Sequence, residues 1–217
     1  MGYPVQGKLL LGIQSSHFNT EVTNVYVSSV VIDNLYSQFY NHPDIGIACL
    51  YANYKDQIDQ TPVNILGSFL HQLLTTSSEP IPDEVTQKLY DIHRHRGKPG
   101  MEDNLALLRI RLHQLKCAFI CIDAIDELAP EVQRQLLLIL KELRNIRLFL
   151  TGRDHIETEV QKRLQVIPKY KVVISACQQD IQEYVEQKIK EDWNPDAMDE
   201  VLAQDIADTI ISKSQGM

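Results

Sequence analysis

The stretch CAFICIDAIDEL, residues 117–128, decides how the rest of the chain is read. An unbroken apolar run from Cys117 to Ile122 leads into Asp123, and Asp126 and Glu127 follow within one turn. Such a run is what a strand of a parallel sheet requires, because helices cover both of its faces. Asp123 then ends a central strand, where open α/β sheets hold ligands. Three carboxylates crowded there repel one another unless they share a cation. A hard cation, bound partly through water with phosphates completing its shell, resolves that repulsion. The plainer reading is a strand-ending aspartate followed by two solvated loop acids. An isolated D-x-x-D-E leaves both readings open.

Outward from this strand, helical and strand-like text alternates from residue 25 to about 175, the signature of an α/β fold with a parallel sheet. Residues 26–40 place Val27, Val31, Leu35 and Phe39 on one helix face, and IGIACLYANY (45–54) reads as a buried strand. Thr61 and Pro62 are N-cap and first residue of a helix that turns Leu66, Phe69, Leu70, Leu73 and Leu74 inward. A helix through Val85, Leu89 and Ile92 closes on HRHRG, with Gly97 as its cap. Amphipathic helices over 101–116 and 130–145 flank the opening strand. The strand IRLFLTGR (146–153), a helix through Ile156, Val160 and Leu164, and the strand YKVVIS (170–175) follow. Beyond Cys177 the pattern is helical only, through Ile181, Tyr184, Val185 and Ile189 and then from Met198 to Ile210. No fixed-period repeat is present.

The strand 146–153 strengthens the ligand reading. It ends in Thr151, Gly152 and Arg153, so a hydroxyl and a guanidinium emerge at the same sheet edge as Asp123. An arginine reaching a terminal phosphate from there would stabilise charge developing in phosphoryl transfer. The alternative is a surface arginine that opens the next helix.

Composition excludes other classes. With 217 residues at 44% hydrophobic content the chain can bury a substantial core, and a net charge of -8 argues against nucleic acid or anionic lipid as a diffuse partner. No window reaches the roughly 18 apolar residues of a membrane span. The four cysteines, Cys49, Cys117, Cys121 and Cys177, show no C-x-x-C spacing and read as small core residues in a reducing cytoplasm.

Taken together, SSVVIDNLYSQF (28–39), IGIACLYANYK (45–55), TPVNILGSFLHQLL (61–74), FICIDAIDEL (119–128), LFLTGRD (148–154), DIQEYVEQKI (180–189) and SKSQGM (212–217) resemble a known family. It is the NACHT group of signal-transducing P-loop NTPases, in particular fungal receptor-like proteins with nephrocystin-like N-terminal modules. The resemblance implies an ATP or GTP hydrolase using Mg2+. Asp123 would be the magnesium-associated acid of the Walker B strand, and Asp126 or Glu127 would orient or activate water. Arg153 would take the sensor position near the γ-phosphate, preceded by Thr151, with Gly152 where the family's T-S-R has serine. It also implies self-association through the core, an upstream effector, downstream repeat domains, a helical lid after the nucleotide core, and a cytoplasmic setting without nucleic acid or membrane partners.

One departure is large. The family's phosphate loop, G-x-x-x-x-G-K-[ST], belongs just before Ser28, with lysine at position 24 and a hydroxyl residue at 25. The chain reads NTEVTNVYV there, placing Asn24 and Val25 at those positions without a glycine. Backbone N–H groups converge on phosphates only where glycines allow it, and a lysine neutralises the charge. Gly7 and Lys8 form a G-K pair, but Leu9 follows. Either the first residues are foreign to the domain, through truncation or a mis-joined coding segment, or the fold has lost its nucleotide. The abrupt loss of resemblance favours the first. The expected organisation is an atypical segment 1–25, a P-loop NTPase-like core 26–176 and an incomplete helical lid 177–217. Cofactor binding in this chain is expected to be poor or absent. Family members continue past the closing glycine, so the C-terminus is expected to be cut as well.

Other constellations carry less. His93 and His95 fall on different faces of a helix and make a poor metal site. Ser15, Ser16, His17 and Asp33 lack the G-x-S-x-G elbow of a hydrolase. Trp193 is expected at a helix junction.

Overall fold

The computed structural model describes residues 9–14, 20–76, 80–165, 170–174, 183, 187–188 and 200–214. Five strands form one sheet: β1 (Leu9–Gln14), β2 (Ile45–Tyr51), β3 (Cys117–Asp123), β4 (Ile146–Arg153) and β5 (Tyr170–Ile174). Their order is β2-β3-β4-β1-β5, and every pairing is parallel. The helices are α1 (Thr20–Phe39), α2 (Pro62–Thr75), α3 (Asp83–Arg96), α4 (Met101–Gln114), α5 (Pro130–Glu142) and α6 (Glu157–Leu164), with a further helix at Glu200–Ser214. The expected α/β architecture, a parallel sheet flanked by helices, is therefore what the chain adopts.

Cap chemistry sets the boundaries where the sequence indicated it would. Thr61 is extended and its hydroxyl accepts from the Asn64 N–H at 3.3 Å, with Pro62 opening α2. Gly97 ends α3 at a φ of 81°, a conformation that costs other residues strain, and its N–H bonds to the Ile92 carbonyl at 3.2 Å.

Period-two alternation sorts the strands onto two unlike faces. Ala118, Ile120 and Ile122 of β3 and Leu148 and Leu150 of β4 enter the larger core, with Ile65, Leu66, Phe69 and Leu73 of α2, Leu107 and Leu108 of α4, and Leu136, Leu137 and Leu140 of α5. Phe119, Cys121 and Asp123 turn to the other face, against α1. There Ile32 packs with Cys121 and Phe149, and the Phe39 and Phe119 rings stack 5.5 Å apart. Val31 and Leu35 pack against this cluster as expected, and Ser28 and Ile32 are buried deeper on the same helix, Ser28 being drawn to a polar partner on β3.

Strand β2 is an edge, and side chains occupy its open backbone. The Gln72 amide pairs with both the N–H and the carbonyl of Cys49, at 2.8 and 2.9 Å. The Thr76 hydroxyl donates to the Ile47 carbonyl at 3.4 Å, and the Gln60 amide to that of Tyr51 at 3.1 Å. These bonds satisfy groups that would otherwise invite another strand.

Two features lie outside the sequence reading. Leu9–Gln14 is a strand between β4 and β5, whereas the alternation was read only from residue 25. Helix α1 begins at Thr20, several residues before the expected start. Gly7, Lys8, Ser15, Ser16, His17, Cys177 and Trp193, and the residues Ile181, Tyr184, Val185 and Ile189 through which a helix was expected, fall outside the described residues. Among the described residues no helix is long and apolar enough to cross a membrane.

Candidate functional site

The carboxyl ends of β3 and β4 lie beside the end of β1, where Gly12 pairs with Thr151 and Gln14 with Arg153. Connections leave this point in opposite directions, from β1 toward β2 at one edge and from β4 to β5 at the other. That reversal is the usual position of a ligand crevice in an open sheet.

Asp123 is 4% exposed. Its Oδ1 accepts a hydrogen bond from the Ser28 hydroxyl of α1 and another from the Thr151 hydroxyl of β4 at 2.5 Å. The Thr151 oxygen in turn accepts from the Ala124 N–H at 2.9 Å. Helix α1, β3 and β4 are thus joined through one buried carboxylate, which satisfies the rule that buried polar groups find partners.

The chain then turns sharply. Ala124 adopts the left-handed conformation, φ 50°, and a 3-10 turn over Ile125–Glu127 sends the two remaining acids apart. The Asp126 side chain, 4% exposed, accepts from the Arg153 N–H at 3.3 Å and faces the Arg153 guanidinium, with Nε 3.5 Å from Oδ2. Glu127 Oε2 accepts from the Tyr54 N–H at 3.2 Å, and the Glu127 carbonyl accepts from Gln57 Nε2 at 3.1 Å. The crowding suggested by the sequence is relieved by divergence: Asp123 faces α1, Asp126 faces β4 and Glu127 faces the loop after β2. Among the described residues no group of three or more His, Cys, Asp or Glu side chains is arranged to hold a metal ion.

Gly152 is explained by Ile156 and Asp126 together. A Cβ at Gly152 would lie 2.9 Å from Ile156 Cδ1, closer than real side chains pack, and 3.0 Å from Asp126 Oδ1, a tight approach. The residue that departs from T-S-R is the one that lets Asp126 close on the end of β4.

Sequence reasoning brought Asp123, Thr151, Asp126 and Arg153 to one sheet edge, and the structure places all four there. It missed Ser28, Tyr54 and Gln57. Ser28 was the findable one, since a serine one turn before Ile32 on a helix that must cover a sheet faces inward. The backbone contacts of Tyr54 had no sequence signal.

The oxygen donors of Asp123, Ser28 and Thr151 are of the type that suits Mg2+. The phosphate side does not fit. Asn24 and Val25 lie inside α1, past the first turn, so their N–H groups are taken up in the helix. Neither residue supplies the cation or hydroxyl that a triphosphate needs.

A five-stranded parallel sheet in this order, with an acid ending β3 and a threonine and arginine ending the adjacent β4, defines a P-loop NTPase-like α/β domain. The chain belongs to the nephrocystin 3, N-terminal family, a NACHT-like P-loop NTPase domain, whose family model matches residues 25–153. Among solved structures, the Aeropyrum pernix ORC1 protein in complex with DNA is similar at 18% identity and a TM-score of 0.46, over 88% of this chain and 45% of that one. The Aeropyrum pernix ORC2 protein in its ADPNP–ADP complexes is similar at 12% identity and a TM-score of 0.47, over 85% and 46%. A Walker-type ATPase of Pyrococcus abyssi is similar at 14% identity and a TM-score of 0.40, over 85% and 53%. The chain therefore spans about half the length of these structures. No curated protein matches it.

Proposed function

We propose that the chain is the nucleotide-binding and oligomerisation core of a NACHT-type signal-transduction NTPase in which nucleotide binding is impaired or lost. The observation that carries this is the pairing of a preserved acidic edge with an unsuited helix. Asp123 is already bonded to Ser28 and Thr151, while α1 brings Asn24 and Val25 where a lysine and a hydroxyl residue are needed. In an intact switch, nucleotide holds core and lid in one arrangement, and exchange or hydrolysis favours another that self-associates and signals to an effector. Asp123 would then associate with Mg2+ only alongside nucleotide, Asp126 or Glu127 would orient water, and Arg153 would sense the γ-phosphate. An upstream effector, downstream repeats and a cytoplasmic setting belong to the same proposal.

A second reading is favoured by the internal partners of all three acids: the same fold acting as a non-catalytic interaction scaffold. Calorimetric titration with Mg-ATP and Mg-GTP is expected to give no saturable binding, and micromolar affinity for either overturns the loss of binding. The substitutions Phe18→Gly, Thr23→Gly, Asn24→Lys and Val25→Thr together write the phosphate-loop pattern over residues 18–25. Binding is expected to appear in that variant and to weaken by about tenfold, or roughly 1.4 kcal/mol, on adding Asp123→Asn. Unchanged affinity would remove Asp123 from the metal role, and continued absence of binding would leave the scaffold as the function.

A further inference from the structure

Cys49 and Cys121 form a site that the nucleotide reading does not use. They are register partners on the adjacent parallel strands β2 and β3, and both are free thiols. Neighbouring strands lie about 4.8 Å apart, within the roughly 4.4–6.8 Å between Cα atoms that a disulfide bridges. Both side chains project to the α1 face, under Ile32 and Tyr36. The Cys121 thiol and the Tyr36 hydroxyl are the polar neighbours that act on the Cys49 sulfur. Cys121 is the larger influence and, with Tyr36, holds the Cys49 thiol below its usual range against the opposing effect of burial. The other titratable neighbours acting on this cluster are Tyr51 at the end of β2 and, through Tyr51, Asp123 and Asp33. Cys49 is half-buried whereas Cys121 is fully buried, so a small oxidant meets the activated sulfur first.

We propose that Cys49 and Cys121 are a peroxide-oxidised thiol pair that closes to a disulfide between β2 and β3. The Cys49 thiolate attacks one oxygen of hydrogen peroxide, an S–O bond forms as the O–O bond breaks, and hydroxide leaves, giving Cys49 sulfenic acid. The Cys121 sulfur then displaces the sulfenic oxygen, which departs as water with the Cys121 proton. Both thiols are oxidised and the peroxide is reduced to water. The resulting tie lies two residues from Asp123 and beneath Ile32, on the face of α1 that also carries Ser28. Oxidation therefore acts on the seat of α1 over β3. This proposal does not depend on whether the chain binds nucleotide.

The whole chain, exposed to stoichiometric hydrogen peroxide, is expected to lose two hydrogens and to yield a dithiothreitol-reversible cross-linked peptide pair containing Cys49 and Cys121. Full alkylation of both residues after unfolding, or a cross-link through Cys117 or Cys177 instead, overturns the assignment. In Cys121→Ala the reaction is expected to stop at a Cys49 sulfenic acid that dimedone captures, whereas Cys49→Ala leaves Cys121 alkylatable after unfolding. Should the cysteine variants fail to fold, Tyr36→Phe is expected to slow disulfide formation on the order of a few-fold, the effect of removing the hydroxyl that favours the Cys49 thiolate. An unchanged rate would remove the reason for Cys49 reacting first and overturn the mechanism.

Discussion

The two faces of the sheet differ in kind. The face under α2, α4 and α5 is filled mostly by Ile and Leu with one phenylalanine, Phe69, and buried side chains reach it from five helices and three strands. Among the described residues, the face under α1 has a smaller apolar cluster built on Ile32, Cys121 and Phe149, and beside it the buried polar group of Ser28, Asp123 and Thr151. Alternation along β3 makes the division, since even positions supply Ala118, Ile120 and Ile122 to one side and odd positions supply Phe119, Cys121 and Asp123 to the other. One face supplies most of the burial that stabilises the domain. The other holds the carboxylate, hydroxyls and thiols, and the proposed chemistry is confined to it.

This contrast can be broken most directly with paired truncations. Phe69→Ala opens a cavity in the larger core and is expected to lower stability by about 3–5 kcal/mol, against about 2 kcal/mol for Ile32→Ala, by urea denaturation. Equal losses would mean that the α1 face is as much a structural core as the other.

A smaller effect sharpens the polar side. Asp123→Ala leaves the Ser28 and Thr151 hydroxyls without their acceptor and is expected to cost about 1–3 kcal/mol. Ser28→Ala combined with it should show coupling above about 0.5 kcal/mol in a double-mutant cycle. Simple additivity would show that the two groups do not support each other.

The smallest effect is alkaline. Burial, followed by the neighbouring Cys49, pushes the Tyr36 hydroxyl up from 10.0 to about 12. A raised value means that folding favours the neutral phenol. Its contribution is fully present below pH 10 and is lost as pH rises toward 12. Urea midpoints followed from pH 9 to about 12 are expected to fall more steeply in the unchanged chain than in Tyr36→Phe. Parallel curves would mean that the α1 face does not bury this hydroxyl.

Much of the fold was legible because its signals are local. The apolar run of β3, Thr61 with Pro62 at the start of α2, and Gly97 at the end of α3 each act through neighbouring residues, and each does what its chemistry suggests. LLLGIQ was not legible as β1, since a short apolar run acquires strand identity only from partners, here β4 and β5. The site was half legible. Acids and an arginine at strand ends can be listed from sequence, but their orientations depend on Ala124 in the left-handed region and on the space left at Gly152.

By itself, the sequence determined the alternating α/β plan, the acidic edge after β3 and the absence of a lysine-bearing phosphate loop before Ser28. These follow from composition, periodicity and residue chemistry along a continuous chain. Only the tertiary structure decided that Ser28 and Thr151 close on Asp123, that Asp126 turns to Arg153 and Glu127 to Tyr54, and that Cys49 lies beside Cys121. Those pairings join residues far apart in the chain, and strand order and register set them rather than local sequence.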